Sequence, residues 1–465
     1  MQNSVSNTVR QNKMGVKPVG SLLVSMGLPI MLSMMVQALY NVVDSIFIAR
    51  IGEHALTAVS LAFPIQILMI SMGVGTSIGV NALLSRRLGQ HKPQEASAVA
   101  MQGLFLAVVI WIGFAIVGAL LTPFFFQWFT QDSEILAMGQ IYMFICTTLS
   151  LGIFGQFVCE RIMQGTGDTI HPMITQASGA IINIILDPIL IFGLFGMPRM
   201  GVAGAAVATI IGQMSAMGLA LFFMLRKTRD LTFSFRRFRP SWTIIKEIYQ
   251  VGLPAIVMQS IGSVMTIGLN TILITFSATA VAVFGVYFKL QSFIFMPVFG
   301  LATAMISIVA YNYGARNRQR ITGTIRFAVM ISVSIMLCGL AMFQVFPQVL
   351  LKMFDASPDM MDIGSRALRI ISIHFPLAGV AIILSSSFQA MGKGIYSLLM
   401  SITRQLIFLL PAAYILSLIG GLDAVWFAFM VSEIASITMS AFFYHRIYHR
   451  TIRQLEPTKA AGSTQ

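Results

Sequence analysis

The sequence predicts an all-α polytopic membrane protein, with twelve transmembrane helices arranged as two related six-helix halves. Three observations carry that prediction: composition, a train of long apolar runs, and a set of landmarks that recur at one fixed spacing. Of the 465 residues, 57% are hydrophobic and 10% charged. Soluble domains carry about 25% charged residues, so a chain this apolar cannot cover its own surface with polar groups in water.

A helix needs about 20 apolar residues to cross the hydrocarbon. The runs predict spans near 20–48, 56–85, 97–122, 136–162, 171–196, 202–225, 244–275, 280–312, 322–346, 364–390, 396–419 and 423–445. The alternating segments of about ten residues that would mark a β-barrel are missing. The stretch from Met1 to Lys17 is polar and has no apolar signal core, so the first span is expected to direct insertion. Cys146, Cys159 and Cys338 all lie in apolar segments, with neither metal-site spacing nor a disulfide framework.

Orientation follows from where Lys and Arg flank the spans. Basic loops hold Arg86, Arg87 and Lys92; Arg226, Lys227, Arg229, Arg236, Arg237 and Arg239; and Arg316, Arg318 and Arg320. The ends add Arg10, Lys13 and Lys17, and then Arg446, Arg450 and Arg453. The opposite loops carry Asp132 and Glu134, Asp355 and Asp359, and Asp423. The alternation holds through all twelve spans and puts both termini in the cytoplasm. It also accounts for the net charge of +14 without a nucleic-acid partner. The basic, aromatic run at 226–242 reads as a linker lying on anionic lipid.

The repeat sets the organisation. Gly27-Leu28-Pro29 recurs as Gly252-Leu253-Pro254, 225 residues on. The same offset of 225 relates Gly75 to Gly300, Gly89 to Gly314, Gln164 to Gln389 and Gly167 to Gly392. Six spans separate the copies, so both halves enter the membrane in the same sense, as parallel repeats around a central cleft. The expected domains are an N-lobe at 1–225, a basic linker at 226–243, a C-lobe at 244–446 and a cytoplasmic tail at 447–465.

Acids within the bilayer cost about 2.5–3.5 kcal/mol each on insertion scales. Of the sixteen acids most lie in loops or at span ends, and four look intramembrane: Asp44, Glu160, Asp187 and Glu433. Gln37, Tyr40 and Asn41 share a helical face with Asp44, and Asn183 lies one turn before Asp187. Two carboxylates and a carboxamide could surround a proton or a sodium ion. Oxygen ligands suit a hard cation, and adjacent carboxylates favour holding a proton. For Glu160 a local ion pair with Arg161 stands beside a role in ion binding, and for Glu433 a hydrogen bond to a neighbouring helix stands beside such a role. Lys289 and Arg404 are the notable intramembrane bases, and each could pair with a carboxylate, face a watery cleft or snorkel to the interface. His374 reads as a packing residue with one hydrogen bond. The 32 Met and 35 Phe residues would suit an adaptable apolar cleft.

Enzyme chemistry finds no support. A phosphate-binding loop would need G-x-x-x-x-G-K-[ST], but Gly392-Lys393 is followed by Gly394 and has Ser387 at the first Gly position. H-E-x-x-H, a nucleophile elbow and a Cys/His metal set are also missing.

Several motifs together resemble the multidrug and toxic compound extrusion (MATE) family over nearly the whole chain. They are Gly27-Leu28-Pro29, Tyr40-Asn41-Val42-Val43-Asp44, Met72-Gly73-Val74-Gly75-Thr76 leading to Ser85-Arg86-Arg87-Leu88-Gly89, Gln164-Gly165-Thr166-Gly167-Asp168, Asn183 to Asp187-Pro188, and Gly201-Val202-Ala203-Gly204-Ala205-Ala206. Val286-Tyr287-Phe288-Lys289 through Tyr311-Asn312-Tyr313-Gly314 looks like the MepA-like branch, close to the DinF type.

The resemblance implies a two-lobed antiporter of the cytoplasmic (inner) membrane, acting as a monomer without cofactors. It would export drugs and cationic dyes in exchange for H+ or Na+. It implies a cation site at Asp44, Asn183 and Asp187, with Tyr40 on the same face and Thr209 as the span-six threonine. Gln37, Asn41, Lys289 and Gln291 are the candidates for the substrate cleft. NorM-type relatives carry acids on spans seven and ten; here Gln250 to Phe276 and Gly364 to Met391 contain none, so coupling is expected in the N-lobe. A lipid-linked precursor flippase of the wider superfamily is the alternative.

Overall fold

The computed structural model describes residues 12–228, 230–234, 238–354 and 356–455. Arg10, Arg229, Arg236, Arg237, Asp355 and the tail from 456 onward lie outside the described residues.

The N-terminal half contains α1 (Val19–Ala49), α2 (Glu53–Gly89), α3 (Pro93–Gln127), a two-part α4 (Ser133–Thr148 and Leu151–Gly165), α5 (Ile170–Phe192) and α6 (Val202–Lys227). The C-terminal half contains α7 (Trp242–Leu273), α8 (Ala278–Gly314), α9 (Arg318–Val345) and a two-part α10 (Pro358–Ser372 and Phe375–Ala390). It ends with α11 (Gly394–Val425) and α12 (Ala428–Arg450). Nine of these are long and apolar enough to cross a membrane as single helices, and the two-part helices qualify as bent pairs. The twelfth, α12, carries Glu433 in its second turn and ends in His445, Arg446, His449 and Arg450. The fold is the twelve-helix one that the sequence predicts.

The bends have local causes. α4 turns by 41° at Leu149–Ser150. There Ser150 Oγ bonds back to the Thr147 carbonyl at 2.7 Å, and Thr147 Oγ1 to Met143 O at 2.8 Å. Such hydroxyls compete with the helical ladder. α10 bends by 49° at Ile373–His374, just before Pro376, whose ring has no N–H to continue the ladder. α5 stops at Phe192, short of the expected 196, because Gly193 takes a left-handed cap with φ of 76°.

The two halves meet along α2 against α7 and α1 against α8. The contact repeats with the sequence. A Cβ on Gly75 would sit 2.8 Å from Ile256 N, and one on Gly300 would sit 2.8 Å from Met31 N. Met31 and Ile256 are themselves 225 residues apart. Likewise Gly89 backs onto the Tyr311 carbonyl and Gly314 onto the Arg86 carbonyl, again at the offset of 225. The interface is thus self-complementary about a pseudo-twofold axis, and small residues let the backbones touch.

At the end with the basic loops the halves are also tied by polar contacts. Arg87 reaches Glu247 at 2.7 Å. The segment before α1 crosses both halves: Asn12 donates to Thr166 O at 3.1 Å, while Met14 O accepts from Asn312 and from Arg320, each at 3.0 Å. Arg320 also donates to Lys17 O at 2.7 Å. Toward the opposite end, Met35, Leu39, Val42 and Ile46 of α1 and Val264 and Ile267 of α7 are exposed.

Candidate functional site

Within the N-terminal half, α5 packs on α6 through glycines: a Cβ on Gly179 would lie 3.1 Å from Gly212 O, and one on Gly212 would lie 2.8 Å from Gly179 O. This approach brings Asn183 of α5 to Thr209 of α6. A carboxylate only accepts, so the Asn183 amide nitrogen turns to Asp187. It then donates to Asp187 Oδ2 at 3.0 Å, while its oxygen accepts from Thr209 N at 3.0 Å and Thr209 Oγ1 at 3.3 Å. α1 packs against α5 and brings the Asp44 carboxyl within hydrogen-bond reach of Asp187. The Tyr40 hydroxyl is within reach of Thr209.

Asn183 and Asp187 are buried, and Asp44 Oδ1 is buried without a hydrogen-bond partner among the described residues. Two carboxyl groups this close repel when both are charged, a repulsion that a proton or a cation between them would relieve. The five residues of the expected cation set therefore form one cluster. A cavity of about 60 Å³ adjoins it, lined in part by Gln37, Tyr40, Asn183 and Thr209. Its volume admits an ion with some water.

The residues expected at the substrate cleft do not converge. Gln37 lines this cavity, but Asn41, Lys289 and Gln291 do not. Asn41 and Lys289 are exposed, and Gln291 is half-buried.

Of the two readings of Glu160, the ion pair with Arg161 is not formed. Instead Glu160 Oε1 accepts from Gln156 at 2.9 Å and from Thr175 at 2.8 Å, while Arg161 donates to Gln164 at 3.0 Å. Adjacent helix residues point about 100° apart, so neighbours in sequence diverge. Gln156 also contacts Gln176 at 2.9 Å, and both line the cavity. Gln156, Gln176 and Gln213 line the cavity without a motif that marks all three; only the Gln156–Glu160 spacing of one turn signals the first.

In the other half, Arg404 meets Glu433 at 3.5 Å. His374 is a packing residue, as expected: it is buried, its Nδ1 faces the Ile371 carbonyl, and its ring stacks on Phe429 at 5.6 Å. Among the described residues no three His, Cys, Asp or Glu side chains gather as a metal-ion group.

Comparison with known proteins agrees with this duplicated architecture. The chain is 26% identical to the "FAD transporter" of Shewanella oneidensis over 424 residues, covering 90% of this chain and 92% of that protein. It is 25% identical to the "Multidrug export protein MepA" of Staphylococcus haemolyticus, covering 91% and 92%. A solved structure, "Outward-facing conformation of a multidrug resistance MATE family transporter of the MOP superfamily", superposes with a TM-score of 0.90 at 26% identity, covering 96% of this chain and 99% of that one. The MatE family model matches twice, over residues 29–189 and 254–415, once in each half. The chain therefore belongs to the MatE family and is a multi-pass membrane transporter, not an enzyme.

Proposed function

We propose that this protein is a cation-coupled antiporter that exports small amphipathic, often cationic, compounds, with H+ or Na+ bound at Asp44, Asn183 and Asp187. Tyr40 and Thr209 complete the site. The observation that carries this reading is the pair of carboxyl groups within hydrogen-bond reach at membrane depth. Acids there are costly and mark ion pathways.

In this reading the two lobes rock about the α1/α8 and α2/α7 interface. The lobes are 1–225 and 244–446, joined by the linker 226–243 and followed by the tail 447–465. Both termini and the basic loops face the cytoplasm, where the halves are tied together. The described conformation then opens outward, in keeping with its likeness to an outward-facing structure. A proton or Na+ arriving from outside occupies the carboxyl pair and releases the exported compound. The ion leaves on the inner side, cargo takes its place, and the cargo-loaded carrier turns outward again. The family relative named "Multidrug export protein MepA" supports drug cargo. The relative named "FAD transporter" favours adding flavin nucleotides to the cargo tested.

The deciding experiment is dye efflux from proteoliposomes with pH and sodium gradients imposed separately. Ethidium efflux driven by one of the gradients, and lost in Asp44→Asn and Asp187→Asn, is the expected result. Efflux unchanged in both variants sinks the site; a response to lipid-linked sugar but not to dye favours a flippase.

A further inference from the structure

A second polar cluster lies in the C-terminal half, apart from the Asp44–Asp187 site. Pro411 has no N–H, so the ladder of α11 opens into a π-turn over Thr403–Leu409. Such turns re-aim side chains and are frequent at functional sites. Arg404 projects from it toward Glu433 of α12. The contact is one-sided. The Glu433 side chain is 3% exposed and that of Arg404 is 30% exposed.

Glu433 Oε1 has no hydrogen-bond partner among the described residues, and neither does the buried Tyr287 hydroxyl or the Trp426 indole N–H. A guanidinium carries five donors, and its single 3.5 Å contact with Glu433 leaves most of them open. Around the pair stand Tyr287 and Phe429, with ring centres 5.8 Å apart. Phe408, one turn beyond Arg404 on the same helix, is exposed.

The repeat shows what is unusual here. At the offset of 225, Arg404 corresponds to Gly179 and Glu433 to Ala208. Gly179 lines the N-lobe cavity, and Ala208 adjoins Thr209. Where the first half leaves space beside two acids, the second half inserts a guanidinium backed by one buried carboxylate. Where the N-lobe places acids without a cation, the C-lobe thus places a half-exposed cation paired with one buried acid.

We propose that Arg404, held from behind by Glu433, binds the phosphate or carboxylate of an aromatic anion, so that the transporter takes substrates of both signs. A guanidinium fork matches such oxyanions with paired hydrogen bonds, and Phe408 offers a ring to stack on. The inference rests on the reading that the chain carries organic compounds.

The test compares binding of riboflavin 5′-phosphate with that of riboflavin to the purified full-length protein. The two differ only by the phosphate. Wild type is expected to prefer the phosphate, and Arg404→Gln to lower that preference about ten- to a hundredfold. Arg404→Lys should fall between, keeping the charge but not the fork. Because Arg404→Gln strands a buried carboxylate, the double variant Arg404→Gln/Glu433→Gln serves as the folded check and should show the same loss. Equal affinity for both compounds in wild type overturns the inference, as does a preference that survives in the double variant. Ethidium efflux in the same preparation separates the two failures. Efflux without phosphate preference rejects only the anion site, whereas no gradient-driven efflux rejects the exporter reading.

Discussion

Asn183 bridges two helices of the site, because its amide touches both Asp187 and Thr209. Asn183→Ala removes a donor and an acceptor at once from a buried place, and each such loss costs about 1–3 kcal/mol. The concentration of H+ or Na+ that half-saturates transport should therefore rise about 10- to 100-fold, with the maximal rate less affected. Thr209→Ala should shift it less, since the Thr209 backbone N–H still serves the amide oxygen at 3.0 Å. A titration of efflux rate against the driving ion checks both; an unchanged half-saturation in Asn183→Ala removes it from the site. Tyr40 with Asp44, and Asn183 with Asp187, are legible from sequence because each pair lies a turn apart on one helix, whereas Thr209 follows only from the family resemblance. The Glu160 network is not legible, since Gln176 and Thr175 come from a different helix and only packing brings them near.

At the scale of elements, most spans could be read from apolar runs, and the internal breaks could not. A hydroxyl-rich stretch such as Thr147 to Ser150 bends α4 without interrupting its apolar pattern. The start of the same helix is conventional: Asp132 caps it, accepting from the Glu134 and Ile135 N–H groups at 2.9 and 3.1 Å. Those bonds hold its carboxyl below the usual carboxylate range. A depressed folded value means that the stabilising effect is present above the unfolded value and fades as pH falls through the folded one. Asp132→Ala should therefore lower the melting temperature at neutral pH, and the difference from wild type should shrink in acid. A difference that stays constant down to acid pH would remove the cap from the account. The glycine contacts make a firmer prediction. Gly75→Val or Gly300→Val forces a side chain into the backbone of the facing helix. Overpacking of this kind costs about 1–3 kcal/mol, and either variant should melt earlier and transport less. Equal effects from the two would match their equivalence in the repeat.

For the whole molecule, duplication explains the scaffold but not its polar content. The interface glycines kept their partners across the repeat, whereas Asp44 corresponds to Leu269 and Gly179 to Arg404. Packing constrains both halves alike; the charged groups are free to differ. One inter-half feature lies outside the repeat altogether, the segment Asn12–Lys17. Through Asn12 it holds the first half at Thr166, and through Met14 O and Lys17 O it holds Asn312 and Arg320 of the second. These bonds exist only while the halves are closed at that end, so opening there must break them. Hydrogen bonds to a charged group contribute about 1.5–3 kcal/mol each. Arg320→Ala removes two, which should move the equilibrium toward opening at that end by at least about tenfold. Spin labels across Gly89 and Gly314, whose backbones face the opposite helix, would perturb the contact, so labels belong on exposed loop positions such as Lys92 and Arg316. A longer distance between them in Arg320→Ala than in wild type is the expected outcome. An unchanged distance distribution would mean that the glycine interface alone sets the closed state, with the N-terminal segment merely resting on it.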